Sequence, residues 1–444
     1  MDILKGEVTV EGKKIKWETT FDKGFRFKCI GKATCCSGRI CEVLSRDEER
    51  LGKIAGKGKV ESFEAPGGET RKILSHSGNG DCAFLEKGRC SIYDKRPAMC
   101  RGFPFNVIFV GPDRAFVDLE WQCCALPCLD DPKIGKPPSA EIDEAVKEKY
   151  LSLSGHKLKD GRSLLDAWTE SFVKMTAIAE LMDHKKASEK VVDRIADRME
   201  KASDLLELNM IISTYVTARA EIPGKIRLAH ADSIIRNAEK REIMKIEEPM
   251  WHNFMANSFY LYAEYLLKTL GGMPVARRSL ISGRVYNESI SGNDLVFEED
   301  GNKLTVSPMK IERKPFDQAA RRLMSRYLKY IWRRAYTQYD LCRLMNFLYA
   351  KTGGRQDLVS LGAQLLVTTR VLENMQFHLS VITEKNGHRT ITKDDLMEAI
   401  DIFDPMIMRM CESSTPFFEG MMDGAAEQEK QEGEKTSDED EERD

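Results

Sequence analysis

The chain has 444 residues, of which 42% are hydrophobic and 31% charged, and its formal net charge is −3. Because domains usually span about 100 to 200 residues, this length predicts more than one folded domain. The small net charge gives no electrostatic support for binding to nucleic acid.

Neither a secretory leader nor an apolar run of about 18 residues is apparent in the sequence. We therefore expect a cytoplasmic protein that has no membrane partner.

Two β-hairpins are predicted in the first part of the chain. Polarity alternates over residues 7–18, on both sides of Glu11–Gly12, and again over residues 106–119, on both sides of the turn at 111–114. Alternation around a short glycine-containing turn is typical of a hairpin. Between the hairpins we expect mostly loops and short helices held together by metal.

Ten of the 12 cysteines precede residue 129. In a reducing compartment, such a dense set of thiols indicates metal binding rather than disulfides. Soft thiolates select zinc or iron, and four of them complete a tetrahedral zinc site or a 4Fe-4S cluster. The absence of a Cys-x2-Cys pair argues against an ordinary zinc finger. The ten are Cys29, Cys35, Cys36, Cys41, Cys82, Cys90, Cys100, Cys123, Cys124 and Cys128.

Two of these cysteines, Cys35 and Cys36, are adjacent. Successive side chains of an extended backbone point to opposite sides, so both are awkward ligands for one ion. We expect one of them to bind metal while the other packs as a small apolar residue, with ligation of two different sites as the alternative.

The segment 81–105 carries a distinctive pattern in which aromatic, proline and arginine positions accompany the cysteines. It reads Cys82-Ala-Phe-Leu, Cys90-Ser-Ile-Tyr, Arg96-Pro and Cys100-Arg-Gly-Phe-Pro. With Phe27-Lys28-Cys29 and Cys35-Cys36 before it, this pattern resembles the YkgJ-type cysteine-cluster family of zinc- or iron-chelating proteins. The resemblance covers residues 25–128. It implies a metal site whose ligands come from Cys29, Cys35, Cys36, Cys82, Cys90 and Cys100, with Cys36 preferred to Cys35.

One position departs from the family pattern. Many members carry a further cysteine three residues after the first, where this chain has Lys32. An ammonium group cannot replace a thiolate, so another ligand is needed. Cys41, Cys123, Cys124 or Cys128 could supply it, and the sequence does not choose among them.

Three arginines, Arg89, Arg96 and Arg101, lie among the expected ligands. They could offset the negative charge of a thiolate-bound metal, or they could brace loops. The sequence leaves both interpretations open.

Other residues near the cysteines have structural interpretations. Tyr93, Phe103 and Phe105 are expected to belong to the local core rather than to take part in catalysis. His76 is the histidine closest to the cysteines in sequence, and a local hydrogen bond is a more common role for such a residue than metal binding.

Composition divides the chain into four parts. We predict a cysteine-rich domain at 1–128, a proline-containing linker at 129–140, a mainly α-helical domain at 141–424 and an acidic disordered tail at 425–444. Strand-like segments separated by Ser-Gly-Asn and Asp-Gly-Asn turns predict a small β insertion at about 284–307 within the helical domain. The predicted fold class is therefore α+β.

Apolar residues recur at helical spacing beyond the linker. Gly271 is expected to end one of the helices, because glycine accepts the left-handed conformation found at helix ends. The predicted helices include 164–179, 191–212, 251–270, 316–351, 357–383 and 393–411.

The helix predicted at 316–351 is the most basic. Its buried side is expected to include Leu323, Tyr327, Tyr330 and Ile331. A solvated basic face is the simpler interpretation of its cations, and a surface for an acidic partner, including the chain's own tail, is the alternative. These cations are Arg321, Arg322, Arg326, Lys329, Arg333 and Arg334.

The leading functional hypothesis is a metal-binding protein that carries a 4Fe-4S cluster, with zinc as the competing metal. A cysteine module followed by a long helical domain also resembles the flagellin lysine N-methylases, which implies S-adenosylmethionine as cosubstrate and a protein as substrate. A non-catalytic, zinc-stabilised interaction scaffold is the third hypothesis. The sequence identifies no catalytic residue.

Overall fold

A computed structural model describes the chain in segments. The described residues are 3–28, 36, 41–54, 56, 58–65, 69–77, 81–120, 135–158, 160–176, 193–194, 196–198, 202–208, 236, 246–278, 285–334 and 372–402. The acidic tail and the first half of the linker lie outside these segments, as do the later parts of the helices predicted at 316–351 and 393–411 and the first part of the helix predicted at 357–383.

Both predicted hairpins are confirmed and join in one sheet. Strands β1 (Ile3–Val10) and β2 (Lys13–Asp22) pair antiparallel, as do β7 (Phe105–Gly111) and β8 (Arg114–Leu119). The sheet order is β1-β2-β8-β7, and β2 and β8 are parallel neighbours. The first hairpin turns at Glu11 and Gly12, which have φ of 49° and 79°, as expected where both turn residues take positive φ.

The chain between β2 and β7 contains the cysteine-rich segment. Its helices are α1 (Ser45–Leu51) and α2 (Ala98–Gly102), and its strands form two small antiparallel pairs. These pairs are β3 (Val60–Ala65) with β4 (Glu69–Leu74), and β5 (Leu85–Glu86) with β6 (Arg89–Cys90). The prediction of mostly loops and short helices was thus incomplete, because it missed the β3–β4 hairpin.

The later part of the described chain is mainly helical. Of the six predicted helices, those at 164–179 and 251–270 are confirmed as α4 (Leu164–Thr176) and α5 (Glu248–Leu270). The helix predicted at 191–212 is wrong as one continuous helix, because residues 202–204 are not helical. Helix α3 (Ser139–Gly155) was not anticipated. Gly271 follows α5 with φ of 59°, in the left-handed conformation expected at a helix end. Further helical segments span 372–385 and 393–402. The named helices are α3 (Ser139–Gly155), α4 (Leu164–Thr176), α5 (Glu248–Leu270) and α6 (Gln318–Arg333).

The predicted β insertion is confirmed as a second antiparallel sheet, and an additional strand, β9, precedes it. The order is β12-β11-β10-β9. This sheet packs on α5 and on the helix 372–385 through residues that include Phe259, Phe297 and Phe377. The strands are β9 (Val275–Arg278), β10 (Val285–Ser291), β11 (Asp294–Glu299) and β12 (Asn302–Val306).

Packing crosses the predicted linker. Residues of the first sheet such as Trp17 share one hydrophobic core with Val146 of α3 and Tyr327 of α6. The Trp17 indole also donates a 2.7 Å hydrogen bond to Asp143 of α3. Among the described residues, the sheet and the helices thus bury their apolar faces together, whereas the boundary at residue 128 stays a prediction from composition.

The basic helix has the predicted buried side but not the predicted end. Leu323, Tyr327, Tyr330 and Ile331 are buried, as expected. Arg334 was predicted on the basic face, which is wrong for this residue, because the helix ends before it. Arg334 is only 2% exposed and donates a 3.0 Å hydrogen bond to the carbonyl of Leu119 at the end of β8.

No helix in the described part of the chain is long and apolar enough to cross a membrane.

Candidate metal centre

Five cysteines lie within the described residues, and all five are thiols rather than halves of disulfides: Cys36, Cys41, Cys82, Cys90 and Cys100. The predicted ligands Cys29 and Cys35 lie outside the described residues, as do Cys123, Cys124 and Cys128.

A miniature hairpin positions Cys82 and Cys90. Cys90 ends β6 and pairs with Leu85 of β5, and the connection turns at Lys87 and Gly88, whose φ values are 51° and 73°. Cys82 precedes the hairpin, and its carbonyl accepts a 2.8 Å hydrogen bond from the Leu85 N–H. The two cysteines are therefore held by one local, hydrogen-bonded unit.

Backbone contacts join this unit to the earlier cysteines. The Cys82 N–H donates to the carbonyl of Cys36 at 2.8 Å, and Cys82 forms an isolated antiparallel bridge with His76. The Cys41 carbonyl accepts a 2.9 Å hydrogen bond from the Leu74 N–H in β4. Segments that are distant in sequence thus meet beside Cys82 and Cys41.

Two thiols, those of Cys41 and Cys100, are in contact. Their Sγ atoms are 3.2 Å apart across 59 residues of sequence. Cys41 is 3% exposed, whereas Cys100, in α2, is partly exposed. Sequence reasoning left Cys41 as one of four substitutes for the thiolate missing at Lys32, and the structure places it against a predicted ligand.

One apolar cluster surrounds four of the thiols. Cys41 is a buried member, and Cys82, Cys90 and Cys100 pack against it as partly buried members. The other buried members are Val43, Leu51, Leu74, Phe84 and Ile92. The three predicted ligands Cys82, Cys90 and Cys100 are therefore brought together, and Cys41 joins them.

The Cys82 thiol shows the electrostatic effect of this crowding. Burial raises its pKa, a hydrogen bond from the Phe84 backbone opposes the rise, and the charges of Cys100 and Cys90 add to it. Thiolates in such an arrangement repel one another, and a bound cation would relieve that repulsion.

The described side chains do not form a complete coordination sphere for a metal. Within these segments, no group of three or more histidine, cysteine, aspartate or glutamate side chains has the geometry of a metal site. The described part of the centre is thus a cluster of four thiols that includes the contact between Cys41 and Cys100.

A buried carboxylate holds the start of the helix that carries Cys100. Asp47 of α1 is 1% exposed, and it accepts hydrogen bonds from the Ala98 N–H at 2.9 Å and the Leu44 N–H at 3.3 Å. Burial raises the pKa of Asp47, against the effect of these two hydrogen bonds. Asp47 satisfies an N–H group in the first turn of α2, where a helix has no internal acceptor.

Glu148 of α3 ties the two short helices to the helical part of the chain. Its carboxylate accepts a 2.5 Å hydrogen bond from Arg50 of α1 and lies 3.7 Å from Arg101 of α2. Arg101 also donates to Glu144 at 2.7 Å. The segment around Cys100 is therefore anchored on α1 and α3 together.

These contacts bear on the two interpretations of the arginines. Arg101 makes the carboxylate contacts described above. Arg96 stacks on Tyr93, with its guanidinium carbon 3.7 Å from the ring centre, and donates to the Tyr93 carbonyl at 2.9 Å. Arg101 thus joins α2 to α3, Arg96 braces its own loop, and Arg89 is exposed. Compensation of cluster charge by these arginines stays a prediction.

The predicted local core is partly corrected. Phe105 is buried and Phe103 packs against the main core, as expected. Tyr93 is 58% exposed, so its assignment to the core was wrong. Its ring instead covers the guanidinium of Arg96 at the surface.

Neutralising Glu148 tests whether this anchoring supports the cysteine cluster. We expect Glu148→Gln to lower the free energy of unfolding by about 1–3 kcal/mol, because two partly buried guanidinium groups lose a charged acceptor. Metal affinity should fall by about 10–100-fold, as is typical when the support of a ligand is lost. Urea unfolding and titration against a competing chelator measure the two effects.

Glu144→Gln is the matched control. The Glu144 side chain is 47% exposed, against 8% for Glu148, so its ion pair with Arg101 should contribute less than about 1 kcal/mol. Equal and negligible effects of both substitutions would contradict an anchoring role for Glu148.

Comparison with known protein families covers the same part of the chain. A family model described as "Putative zinc- or iron-chelating domain" aligns with the region that contains the four clustered thiols. Residues 28–128 match this family. All five cysteines of the described part lie within these matched residues.

A curated relative is an uncharacterized protein of Methanocaldococcus jannaschii. It is 31% identical over 114 residues, which make up 24% of this chain and 59% of that protein. The chain therefore spans about 59% of the length of the curated relative that it matches. No solved structure matches the chain. Residues 28–128 are thus similar to this family of domains, and the comparisons leave the metal to be proposed.

Proposed function

We propose that this protein binds a metal through cysteine thiolates of residues 28–128, with a 4Fe-4S cluster as the leading candidate and zinc as its competitor. The observation that carries the proposal is the clustering of Cys41, Cys82, Cys90 and Cys100, with two Sγ atoms 3.2 Å apart. In a reducing cytoplasm, which the proposal assumes, such thiols are available as ligands.

The chemistry of the donors suits either metal, whereas no three of the described side chains already have the geometry of a metal site. Thiolates are the preferred ligands of zinc and of iron–sulfur clusters, and four thiols match the usual ligand number of both. Cys41, Cys82, Cys90 and Cys100 would hold the metal. Cys36, whose carbonyl accepts from the Cys82 N–H, and the predicted ligands Cys29 and Cys35 are further candidates from the same family pattern.

The distribution of the four clustered thiols argues against an ordinary zinc finger, and it does not choose between a cluster and another kind of zinc site. Structural zinc sites commonly take two ligands from a short Cys-x2–4-Cys segment. Here the four clustered cysteines come from separate segments, before α1, before β5, at the end of β6 and in α2. A bound cluster would supply electron-transfer or structural chemistry, and the partly buried apolar surroundings would influence its potential.

The pH dependence of metal uptake tests thiolate ligation. Because the pKa of Cys82 is raised, its thiol is protonated at neutral pH, and metal must displace the proton. If four thiols ionise, the logarithm of the affinity should rise by roughly 4 for each pH unit below the thiol pKa values. Cobalt titration of metal-free protein, followed by thiolate-to-metal absorption, measures this slope.

A histidine- or carboxylate-based site would give a different result. Its affinity would level off near pH 7, since those groups have already lost their protons there. That outcome, or uptake without thiolate absorption, would contradict the proposed ligands.

The methyltransferase hypothesis remains a separate proposal for the whole chain. It predicts saturable S-adenosylmethionine binding by anaerobically purified protein, with a protein lysine as the group that is methylated. No binding by protein that retains its metal would contradict this hypothesis and leave the metal site unaffected.

A further inference from the structure

We propose that Cys41 and Cys100 form a reversible disulfide when the metal site is empty, and that small disulfide compounds are the oxidant. The pair would then be a site of oxidative modification. Its use to regulate metal binding rests on the metal-binding function proposed above. Oxidation would remove two of the four clustered donors at once.

The geometry of the pair favours this reaction. Its Sγ atoms are 3.2 Å apart, whereas bonded sulfur atoms are about 2.0 Å apart. Closing the remaining gap of roughly 1.2 Å is within the range of small side-chain and loop adjustments. Both residues are thiols in the structure, so the pair starts in the reduced state.

The two residues sit on different supports. Cys41 lies four residues before the start of α1 and is fixed by the hydrogen bond from the Leu74 N–H of β4 to its carbonyl. Cys100 lies in the single turn of α2, whose start is held by Asp47. A disulfide between them would join α2 to the segment 59 residues earlier. It would therefore link parts of the chain that are already packed together.

The difference in exposure between the two thiols determines which of them reacts first with the reagent. Cys100 is partly exposed and can be reached by a small reagent, whereas Cys41 is 3% exposed and is shielded from direct attack. The Cys100 thiolate first attacks the reagent, so that a mixed disulfide forms and one reagent thiolate leaves. Cys41 then attacks the Cys100 sulfur, the protein disulfide forms and the second reagent thiolate leaves.

The reaction balances without another component. Two protein thiols lose two electrons and two protons, and one disulfide reagent becomes two thiols. Excess small thiol reverses both steps. Metal coordination blocks the first step, because a thiolate bound to metal is not available as the nucleophile.

The test uses the full chain, prepared without oxygen, with its metal retained or removed by a chelator. Both forms are treated with hydroxyethyl disulfide, and the disulfide bonds are mapped by mass spectrometry of peptides. We expect a bond between Cys41 and Cys100 in most metal-free molecules, at least tenfold less of it in metal-containing molecules, and recovery of metal uptake after reduction.

Substituted proteins identify the pair. Cys41→Ser should retain the mixed disulfide at Cys100, because the resolving thiol is gone, whereas Cys342→Ser should behave as the unsubstituted protein. Mapping of the unsubstituted chain requires no variant and stays decisive if a variant does not fold.

Several results would overturn the inference. These are a dominant bond between other cysteines such as Cys82 and Cys90, no bond at all, or equal oxidation with and without metal. Failure of the metal proposal is distinguishable, because a protein that takes up no metal but still forms the Cys41–Cys100 bond would retain the reactive pair and lose only its regulatory role.

Discussion

Replacing Cys100 with serine is expected to abolish near-stoichiometric metal binding. Its Sγ atom contacts that of Cys41, and its side chain packs against the cluster that contains Cys82 and Cys90. A serine hydroxyl stays protonated at neutral pH and is a poor ligand for a soft metal. Affinity should fall by more than about 100-fold, since the loss of supporting residues alone commonly costs 10–100-fold. Metal analysis and chelator competition measure this loss.

A second consequence is expected for stability. If metal binds the folded protein and not the unfolded chain, its binding free energy adds to the free energy of unfolding. Cys100→Ser should therefore lower the midpoint of unfolding of the metal-containing protein. Removing metal from the unsubstituted protein should have a comparable effect.

Cys342→Ser is the matched control, because it removes a thiol outside residues 28–128 and should leave metal content unchanged. Cys82→Ser should reproduce the loss seen for Cys100→Ser. Full metal content in both the Cys82→Ser and Cys100→Ser proteins would show that the clustered thiols are not the ligands.

Replacing Arg277 with methionine is expected to lower the free energy of unfolding by about 3–5 kcal/mol, because it leaves a buried carboxylate without its cation. Glu288 of β10 is 3% exposed and forms an ion pair with Arg277 of β9. Its other oxygen accepts a 2.9 Å hydrogen bond from Tyr262 of α5. Urea unfolding with fluorescence and circular dichroism gives the change.

Two comparison proteins distinguish the effect of losing the ion pair from the effect of leaving the Glu288 carboxylate charged and without its cation. Adding Glu288→Gln to Arg277→Met should recover part of the lost stability, since a neutral amide is much less costly to bury than an unpaired carboxylate. Tyr262→Phe alone should cost about 2–4 kcal/mol, because the hydroxyl both donates to Glu288 and accepts from Arg277 at 2.7 Å. A change below about 1 kcal/mol for Arg277→Met would contradict this account.

The pH dependence should reverse in the Arg277→Met protein. Burial acts to raise the pKa of Glu288, but Arg277 and other partners outweigh it and hold that pKa below its usual range. The ionised Glu288 thus contributes to the free energy of unfolding of the unsubstituted protein, and this contribution should be lost as pH falls through the depressed pKa of Glu288. Without Arg277, burial would raise the Glu288 pKa, and the variant should instead gain stability on acidification.

His378 adds to the acid sensitivity of the unsubstituted protein. Burial lowers its pKa to about 4, and its ring contacts that of Tyr262 with centroids 4.5 Å apart. A depressed histidine pKa means that the folded state resists protonation. The contribution of His378 to the free energy of unfolding is therefore complete above the usual histidine pKa. It is lost as pH falls from about 6.5 towards 4.

Local signals accounted for much of the fold. The turn at Glu11–Gly12 and the helix end at Gly271 depend on backbone conformations that few residues adopt. The parallel pairing of β2 with β8 had no comparable signal, because it joins hairpins far apart in sequence and depends on a shared core. The burial of Arg334 was missed for the same reason, since its acceptor is the distant carbonyl of Leu119.

The candidate centre also combines residues that have a local sequence signal with residues that depend on contacts between distant segments. Cysteine identity and the neighbouring aromatic, proline and arginine pattern led to Cys82, Cys90 and Cys100. The place of Cys41 depends on the approach of two segments in space, so sequence reasoning kept it among four alternatives. Asp47 and Glu148 carried no signal, because buried carboxylates look like any other acidic residue in a chain with 71 of them.

The most direct test of the metal-binding account is analysis of metal and acid-labile sulfide in protein purified without oxygen. We expect near-stoichiometric iron and sulfide, lost together in the Cys100→Ser protein and retained in the Cys342→Ser protein. Stoichiometric zinc without sulfide would mean that the thiolates bind zinc and not an iron–sulfur cluster. Protein that contains neither metal and takes up neither after reduction would contradict the account.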